Sequence, residues 1–305
     1  MPEPQHGELR VRIHASGVNP ADANRRRGEK KWQRLPGAVI PHCDGAGIVD
    51  AVGTGVPEDW IGRRVWTNIA GGYRQNGTAA QYVCLPLDNI ARLPDNTGFS
   101  EGACLGVPAM TAHCCLFSDG SIAGQDVLVT GGAGAVGNYA IQLAKWAGAR
   151  VIATVSSDAK ALVARQAGAD LIVNYRNDDT IEAVKDFTGG IGVDRAVDVD
   201  FGGNLETLLG TVRTGGVIAT YASRGNETPG VPAYPAMMLS LTAKFVLLPT
   251  VSDALRSRAK SDIVRWLEAG HAIHRIAQEF PLDQIADCHA LVEGKTKIGC
   301  AIVTV

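Results

Sequence analysis

One short segment constrains the fold of this 305-residue chain more than any other. The apolar run DVLVT (126–130) is followed by GGAGAVG (131–137) and then by a pattern with helical spacing. The loop contains a G-x-G-x-x-G sequence, formed by Gly132, Gly134 and Gly137. A glycine loop between a buried strand and a helix is typical of a dinucleotide-binding βαβ unit.

The physical basis of this pattern is the approach of a pyrophosphate to the backbone. Glycines permit the tight turn, and the start of the helix offers free N–H groups and the positive end of its dipole. The alternative is a glycine-rich turn that binds nothing. The predicted phosphate-binding residues are Gly132, Ala133, Gly134, Ala135, Val136 and Gly137.

The chain after this loop alternates between strand and helix patterns about five times, as far as VIATYA (217–222). Such alternation predicts an α/β fold, with a doubly wound parallel sheet covered on both faces. The helical pattern NLETLLGTVRTGG (204–216) is one of these units. Beyond KFVLLPT (244–250) two further helices and a final strand are predicted.

The first hundred residues have a different pattern. Short runs of alternating polar and apolar residues, with Gly or Pro at their ends, predict strands of a small barrel-like β domain. These runs are LRVRIHASGV (9–18), AGIVDAVG (46–53), RRVWTNI (63–69) and AAQYVCLP (79–86). We therefore expect a β-rich domain over residues 1–103, a dinucleotide-binding domain over 104–245, and a return to the first domain over 246–305.

Composition excludes several classes of protein. A formal net charge of −2 gives no overall attraction to nucleic acid or anionic membranes. No apolar run is long enough to span a bilayer, and the N-terminus lacks a secretory pattern, so a cytoplasmic protein is expected. The seven cysteines are scattered without C-x-x-C spacing, which favours small buried side chains over disulfides or a zinc ribbon.

The second strand of the α/β region, RVIATV (150–155), bears on the choice of cofactor. NAD-binding folds usually end this strand with an acidic residue that binds the ribose 2′-OH. Here Ser156 and Ser157 follow it, and Asp158 is explained as a helix N-cap. Lys160 can reach a 2′-phosphate, although it is also compatible with an exposed helix lysine. The pattern favours NADPH.

Several strings together resemble one known family. They are HASGVNPAD, DGAGIVDAVG, GTAAQYVCLP, GACLGVPAMTAH, VLVTGGAGAVGNYAIQLAKWAGARVIATVSS and GADLIVNY. The chain resembles the zinc-independent, zeta-crystallin-like quinone oxidoreductases of the medium-chain dehydrogenase/reductase superfamily. The resemblance extends from about Leu9 to the C-terminus and is densest between Cys104 and Tyr175.

The resemblance implies a GroES-like catalytic domain around a Rossmann domain, NADPH as hydride donor, and quinones or activated alkenes as acceptors. It also implies a homodimer that pairs through the Rossmann edge strand, here 244–250. Asn19 and Thr111 match the nicotinamide end, with Asn19 the candidate catalytic residue. The other matching cofactor positions are Ser156, Ser157, Lys160 and Tyr175 at the 2′-phosphate, and Ala222, Ser223, Phe245 and Leu247 over the cofactor.

The sequence departs from the family at two places. Tyrosines that line the family's substrate cleft are replaced by Asn24 and Lys30, so the predicted cleft residues are Asn24 and Tyr73. Tyr73 is a candidate proton donor or a structural tyrosine. The opening residues resemble the second strand of the family's first hairpin, so the usual first strand is expected to be absent and a sheet edge exposed.

Three residue types that bind metals stand together at His42, Cys43 and Asp44. In zinc-dependent relatives a cysteine occupies the position of Asn19, and a histidine occupies that of Cys43. Neighbouring side chains on an extended chain point to opposite faces, so His42 and Cys43 are not expected to share one ion. We expect no metal site, and Asp44 to bond backbone N–H groups in a turn.

The resulting functional hypothesis is an NADPH-dependent reductase that transfers a hydride to a quinone or an α,β-unsaturated carbonyl without zinc. The alternative is a non-catalytic NADPH-binding protein with a structural role or an RNA-binding role. RNA binding would use the basic run RRRGEKKWQR (25–34), which is otherwise interpreted as a solvated loop or as an anion-attracting rim of the substrate mouth.

Overall fold

A computed structural model describes residues 1–28, 37–69, 74–294 and 297–305. The chain forms two compact units, Met1–Met110 with Arg256–Val305, and Thr111–Leu255. The predicted boundaries between the corresponding segments are 103/104 and 245/246. Within the described ranges, no helix combines the length and apolar character that crossing a membrane requires.

The regular elements are numbered along the chain. The strands are β1 (Glu8–Val18), β2 (Asp44–Val52), β3 (Arg64–Thr67), β4 (Tyr82–Pro86), β5 (Ile90–Arg92), β6 (Asp126–Val129), β7 (Arg150–Val155), β8 (Leu171–Asn174), β9 (Val193–Asp198), β10 (Val212–Thr220), β11 (Thr242–Phe245), β12 (Ile276–Pro281) and β13 (Cys300–Thr304). The helices are α1 (Pro20–Arg27), α2 (Phe99–Gly102), α3 (Met110–Phe117), α4 (Ala135–Trp146), α5 (Asp158–Gln166), α6 (Thr180–Phe187), α7 (Phe201–Thr211), α8 (Ala233–Met238), α9 (Asp253–Glu268) and α10 (Ile285–Glu293).

The first unit is built on a sheet with the order β12-β13-β1-β2-β3-β5, and β4 also pairs with β1. Strand β1 pairs with β2 on one side and with β4 and β13 on the other. An exposed edge was expected near the start of the chain, but β1 itself has hydrogen-bonded neighbours along both sides. The C-terminal strand β13 lies in this same sheet.

Alternation of side chains explains how this sheet buries one face. Leu9, Val11 and Ile13 point into a core that also contains Val49 and Val65, and all five are buried. Their spacing of two residues is the strand period, so the polar neighbours in between face outward. The predicted β-rich first unit is confirmed, with its strands in an open sheet order.

The second unit is a six-stranded sheet with the order β11-β10-β9-β6-β7-β8, and every neighbouring pair is parallel. From β6 the order continues through β7 to β8 at one edge of the sheet, and β9, β10 and β11 are added on the other side of β6 toward the opposite edge. The order therefore reverses between β6 and β9. In sheets of this kind a ligand binds at the carboxyl ends of the strands beside that reversal. The predicted α/β fold is confirmed.

The central strands of this sheet, β6, β7 and β9, are largely buried. Leu128, Ile152, Val173 and Ile218 are buried in one core with Phe201 of α7. Strand β7 matches the predicted segment at both ends, and five of its six residues are buried. The glycine loop lies directly after β6, at the reversal of strand order.

Two local predictions differ from the structure. The pattern 204–216 was predicted as one helix, but α7 ends at Thr211 and β10 begins at Val212. Gly215 has a φ of 72°, and the pairing of β10 with β9 shifts register between Val212 and Val217. A bulged strand start therefore replaces the last helical turn.

The basic run was interpreted as a loop, but its described part is helical. Arg25–Arg27 belong to helix α1, and Gly28 is the C-cap of that helix.

Candidate functional site

The glycine loop forms a tight turn between β6 and α4. Gly131 has a φ of 66°, which lies in the left-handed region that favours glycine. Its N–H group lies 3.3 Å from Thr154 Oγ1, and its carbonyl accepts a hydrogen bond from the Gly134 N–H. Gly131 is not among the predicted phosphate-binding residues, because the G-x-G-x-x-G motif begins one residue later. The double glycine was the signal that could have identified it.

The start of α4 offers unpaired backbone donors. Gly134 is the N-cap, so no side-chain oxygen caps the helix. The first helical hydrogen bond is donated by Asn138 N–H to the Gly134 carbonyl. In the part of the chain that the structure describes, the N–H groups of Ala135, Val136 and Gly137 have no hydrogen-bond partner. Three free donors and a helix dipole form a site that fits a pyrophosphate.

Gly137 is required by the close approach of α4 to the loop. A Cβ atom there would lie 2.3 Å from the Gly131 carbonyl oxygen and 2.9 Å from its carbon. Both atoms belong to the backbone, so a side chain can be accommodated only by displacing the loop. Gly132 is also tightly packed, since its Cβ would lie 3.0 Å from the Cβ of Ala153.

A second group of predicted residues lies beyond β7 and β8. Lys160 donates through Nζ to Ser156 Oγ at 2.9 Å. Ser157 is the N-cap of α5, and Asp158 is the first helical residue, so the proposed N-cap at Asp158 was wrong by one position. Tyr175 follows the neighbouring strand and its side chain is 54% exposed. Lys160 therefore supplies a positive charge beside a strand end that carries no acidic residue.

The remaining predicted cofactor residues of the second unit lie after β10, at β11 and in α3. The Ala222 carbonyl accepts from the Phe201 N–H at 2.9 Å, and Ser223 Oγ accepts from the Gly202 N–H at 3.0 Å. Phe245 and Leu247 are exposed at 70% and 42%. Thr111 is buried in α3.

In the first unit, Asn19 is held by a buried carboxylate. It precedes α1 as the N-cap, and its Nδ2 donates to Asp44 Oδ2 at 2.7 Å. Asp44 Oδ1 accepts from the Val107 backbone N–H at 2.8 Å, which confirms the predicted bond to a backbone N–H, but Asp44 begins strand β2 and does not lie in the predicted turn. Burial raises the pKa of Asp44 well above its usual range. These bonds fix the orientation of the Asn19 amide.

His42, Cys43 and Asp44 each have separate partners. His42 is fully buried, with Nδ1 2.8 Å from Ser16 Oγ and Nε2 2.8 Å from Nε2 of His289. Burial lowers the pKa of His42 to about 3, so the ring is neutral at neutral pH.

Cys43 has a different neighbour from His42. Its Sγ lies 3.7 Å from Asp22 Oδ1, and burial raises its thiol pKa well above the usual value. Burial also raises the pKa of Asp22 to about 6, against the opposing hydrogen bond from Asn19 N–H. No three histidine, cysteine or acidic side chains among the described residues are grouped to hold a metal ion.

All seven cysteines are free thiols, and six of them are buried, as the sequence indicated. His113 is also buried, in α3, with its ring centroid 4.7 Å from that of Phe117.

The predicted cleft and the basic run are described only in part. Asn24 lies in α1, and its Oδ1 accepts from Arg27 Nη2 at 2.7 Å. Arg26 and Arg27 both form ion pairs with Glu293 of α10. Tyr73, Lys30 and the rest of the basic run lie outside the described residues.

We expect the substitution Gly137→Ala to weaken binding of a nicotinamide dinucleotide by more than about tenfold, because the new Cβ displaces the loop whose N–H groups face the pyrophosphate. A fluorescence titration with NADPH measures this effect. Gly230→Ala is the matched control, since its Cβ would meet nothing within 4 Å. Equal affinity in the Gly137 variant and the control would contradict the assignment of the loop.

Comparison with known families gives two matches in sequence. Residues 5–95 match the alcohol dehydrogenase GroES-like domain, and residues 135–268 match the zinc-binding dehydrogenase domain. Together the matches include β1 to β5 of the first unit and, in the second unit, helix α4, which follows the glycine loop.

Two relatives illustrate the sequence similarity. The quinone oxidoreductase of Pongo abelii is 28% identical over 310 residues, which cover 99% of this chain and 91% of that protein. The chloroplastic NADPH-dependent alkenal/one oxidoreductase of Arabidopsis thaliana is 33% identical over 238 residues, which cover 74% of this chain and 61% of that protein.

Solved structures agree with the fold. A crystal structure of an NAD-dependent alcohol dehydrogenase is 33% identical, has a TM-score of 0.89, and aligns over 100% of this chain and 94% of its own. The Escherichia coli quinone oxidoreductase complexed with NADPH is 26% identical with a TM-score of 0.86, over 100% and 94% of the two chains. The chain therefore belongs to the quinone oxidoreductase family of the medium-chain dehydrogenases/reductases, and it is an oxidoreductase that uses a nicotinamide cofactor.

Proposed function

We propose that this protein is an NADPH-dependent reductase that transfers a hydride to a quinone or an activated α,β-unsaturated carbonyl compound without zinc. The observation that carries the proposal is the end of β7, where Lys160 and Ser156 lie together and no acidic residue occupies the strand end. An acidic residue there would bind the 2′-OH of NAD and repel a 2′-phosphate.

The described residues fit this cofactor at two positions. The N–H groups of Ala135, Val136 and Gly137 would hold the pyrophosphate, and Lys160 with Ser156 would hold the 2′-phosphate. Tyr175 follows β8, which is the neighbour of β7, and would contact the adenosine end. When bound, the nicotinamide supplies the hydride.

The first unit supplies the candidate residue at the reacting end. Because Asp44 accepts from its Nδ2, the amide of Asn19 presents its oxygen in a fixed direction. We propose that Asn19 orients the nicotinamide and that Asn24 and Tyr73 belong to the substrate cleft. Holding the two reactants in register and excluding water supplies much of the rate acceleration that a hydride transfer needs.

The chemistry of the available side chains supports a reaction without zinc. Asn19, a poor zinc ligand, occupies the position of a ligand cysteine in zinc-dependent relatives. Both ring nitrogens of His42 are already engaged, by Ser16 and His289. An electron-poor acceptor needs less electrostatic activation than an alcohol, which favours reduction of quinones or enones.

Turnover with an acceptor panel tests the proposal. Purified protein is mixed with NADPH or NADH and with an ortho-quinone, a para-quinone or an α,β-unsaturated ketone, and the loss of nicotinamide absorbance is followed. We expect oxidation of NADPH that a chelator does not change. Chelator-sensitive activity would contradict the zinc-free assignment. Tight NADPH binding without turnover on any acceptor would favour the non-catalytic alternative.

The substitution Lys160→Ala tests the choice of cofactor. We expect NADPH affinity to fall about tenfold, since a charge-assisted hydrogen bond to the 2′-phosphate is lost, while NADH affinity stays within twofold. Titration calorimetry measures both constants. Lys145→Ala is the control, because Lys145 forms an ion pair with Asp170 and lies in α4. Parallel loss of affinity for both cofactors would show that Lys160 does not recognise the 2′-phosphate.

We also propose that a second copy of the chain pairs at the free edge of β11. Large apolar residues in α8 and in or just after β11 are exposed, with exposed fractions between 42% and 81%. They include Tyr234, Met237, Met238, Phe245 and Leu247. Large exposed apolar side chains beside an unpaired strand edge are typical of an interface.

Sedimentation measures this association. We expect a dimer at micromolar concentration and a shift toward monomer in the variant Met238→Glu, because a charge is desolvated in the interface. Leu162→Glu, at a residue 54% exposed on α5, is the control and should remain dimeric. A monomeric wild-type protein at these concentrations would exclude this interface.

A further inference from the structure

Asp198 is a buried carboxylate that none of the sequence motifs includes. It is the last residue of β9, has no exposed surface, and lies at the reversal of strand order in the second unit. Burying a charged group is costly unless it is fully hydrogen-bonded. Its retention at this position therefore requires a set of donors, and the structure provides four.

The four donors come from different segments of the chain. Oδ1 accepts from Thr130 Oγ1 and Asn204 Nδ2, both at 2.8 Å. Oδ2 lies 3.0 Å from the Asp200 backbone N–H and 3.1 Å from Thr220 Oγ1. Thr130 follows β6, Asp200 follows β9, Asn204 lies in α7, and Thr220 is the last residue of β10. One carboxylate thus connects three neighbouring strand ends.

Further bonds extend the connection into the loops themselves. Thr130 Oγ1 accepts from the Val199 N–H at 2.9 Å, and the Asp200 carboxylate accepts from the Gly225 N–H at 2.9 Å. Val199 also packs on the glycine loop, because a Cβ on Gly131 would lie 3.2 Å from its Cγ1. The glycine loop, the loop after β9 and the loop with Ala222 and Ser223 are therefore held as one assembly.

A carboxylate accepts from all of these groups without reorienting any of them. The Asp200 N–H is an obligatory donor, and it faces a different oxygen of Asp198 from the one that accepts from the Asn204 amide. An asparagine at 198 has a single oxygen, so either the Asp200 N–H would face an NH₂ donor, or the Asn204 amide would have to turn over and the Thr130 hydroxyl would lose its acceptor. A buried donor left without an acceptor is more costly than the loss of an average hydrogen bond.

We propose that Asp198 is a positioning residue for the nicotinamide cofactor. It sets the relative placement of the loop that faces the pyrophosphate and of the loop that carries Ala222 and Ser223. This inference rests on the cofactor-binding role given to these loops under the proposed function. It adds a residue that does not touch the cofactor but determines the affinity for it.

The variant Asp198→Asn tests the proposal, with Asp194→Asn as the matched control. Asp194 lies near the other end of the same strand and accepts from Arg213 Nε and the Asp126 N–H, each at 2.7 Å. The dissociation constants of NADPH and NADH are measured by fluorescence at a temperature where near-ultraviolet circular dichroism shows both variants folded.

We expect Asp198→Asn to raise both dissociation constants by about tenfold or more and by the same factor, because the 2′-phosphate residues are unaffected. The KM for the cofactor rises accordingly, while kcat at saturation changes less than threefold. Amide hydrogen exchange at Val199 and Asp200 accelerates relative to β7. Asp194→Asn should bind both cofactors within twofold of the wild type.

Wild-type affinity in folded Asp198→Asn, or equal losses in both variants, would overturn the proposal. If Asp198→Asn does not fold, Thr130→Val takes its place, since valine keeps the shape and removes the hydroxyl that joins Asp198 to Val199. Threefold to tenfold weaker binding of both cofactors is then expected, and wild-type binding would overturn the proposal. A wild-type protein that binds neither cofactor would instead refute the proposed function itself.

Discussion

The second unit depends on the close contact between the start of α4 and the carbonyl of Gly131. This contact leaves no room for a side chain at Gly137, where a Cβ would lie 2.3 Å from that oxygen. It turns the free N–H groups of the first helical turn toward the carboxyl ends of the strands. The reversal of strand order between β6 and β9 opens the space into which they point. Sheet topology and one glycine contact together create the candidate phosphate site.

The two units orient their polar groups in the same way, through a buried aspartate. In the first unit, buried carboxylates hold an amide and a backbone N–H, as Asp44 does with Asn19 and Val107. In the second unit, Asp198 holds three strand ends together. In both places a buried acid is satisfied by several donors and so fixes a neighbouring group in one orientation. Such preorganisation suits a reaction that consists of positioning a hydride donor beside an acceptor.

Local patterns predicted much of this fold, because the spacing of apolar residues in a strand or a helix can be recognised within one short segment of the sequence. Strand β7 and the glycine loop were identified from such patterns alone. The boundary between α7 and β10 was missed, since the bulge at Gly215 depends on pairing with β9. The Asn19–Asp44 bond joins residues 25 positions apart, and the Asp198 network joins residues as far as 68 apart. Contacts of this kind follow from tertiary packing, which no local period encodes.

We infer that the turn from β6 into α4 holds the pyrophosphate of NADPH while Lys160 holds its 2′-phosphate. A crystal structure of the complex with NADPH measures the positions of both groups directly. We expect pyrophosphate oxygens within hydrogen-bond distance of the N–H groups of Ala135, Val136 or Gly137, and the 2′-phosphate beside Lys160 and Ser156. A pyrophosphate bound elsewhere, or a 2′-phosphate directed away from Lys160, would contradict it.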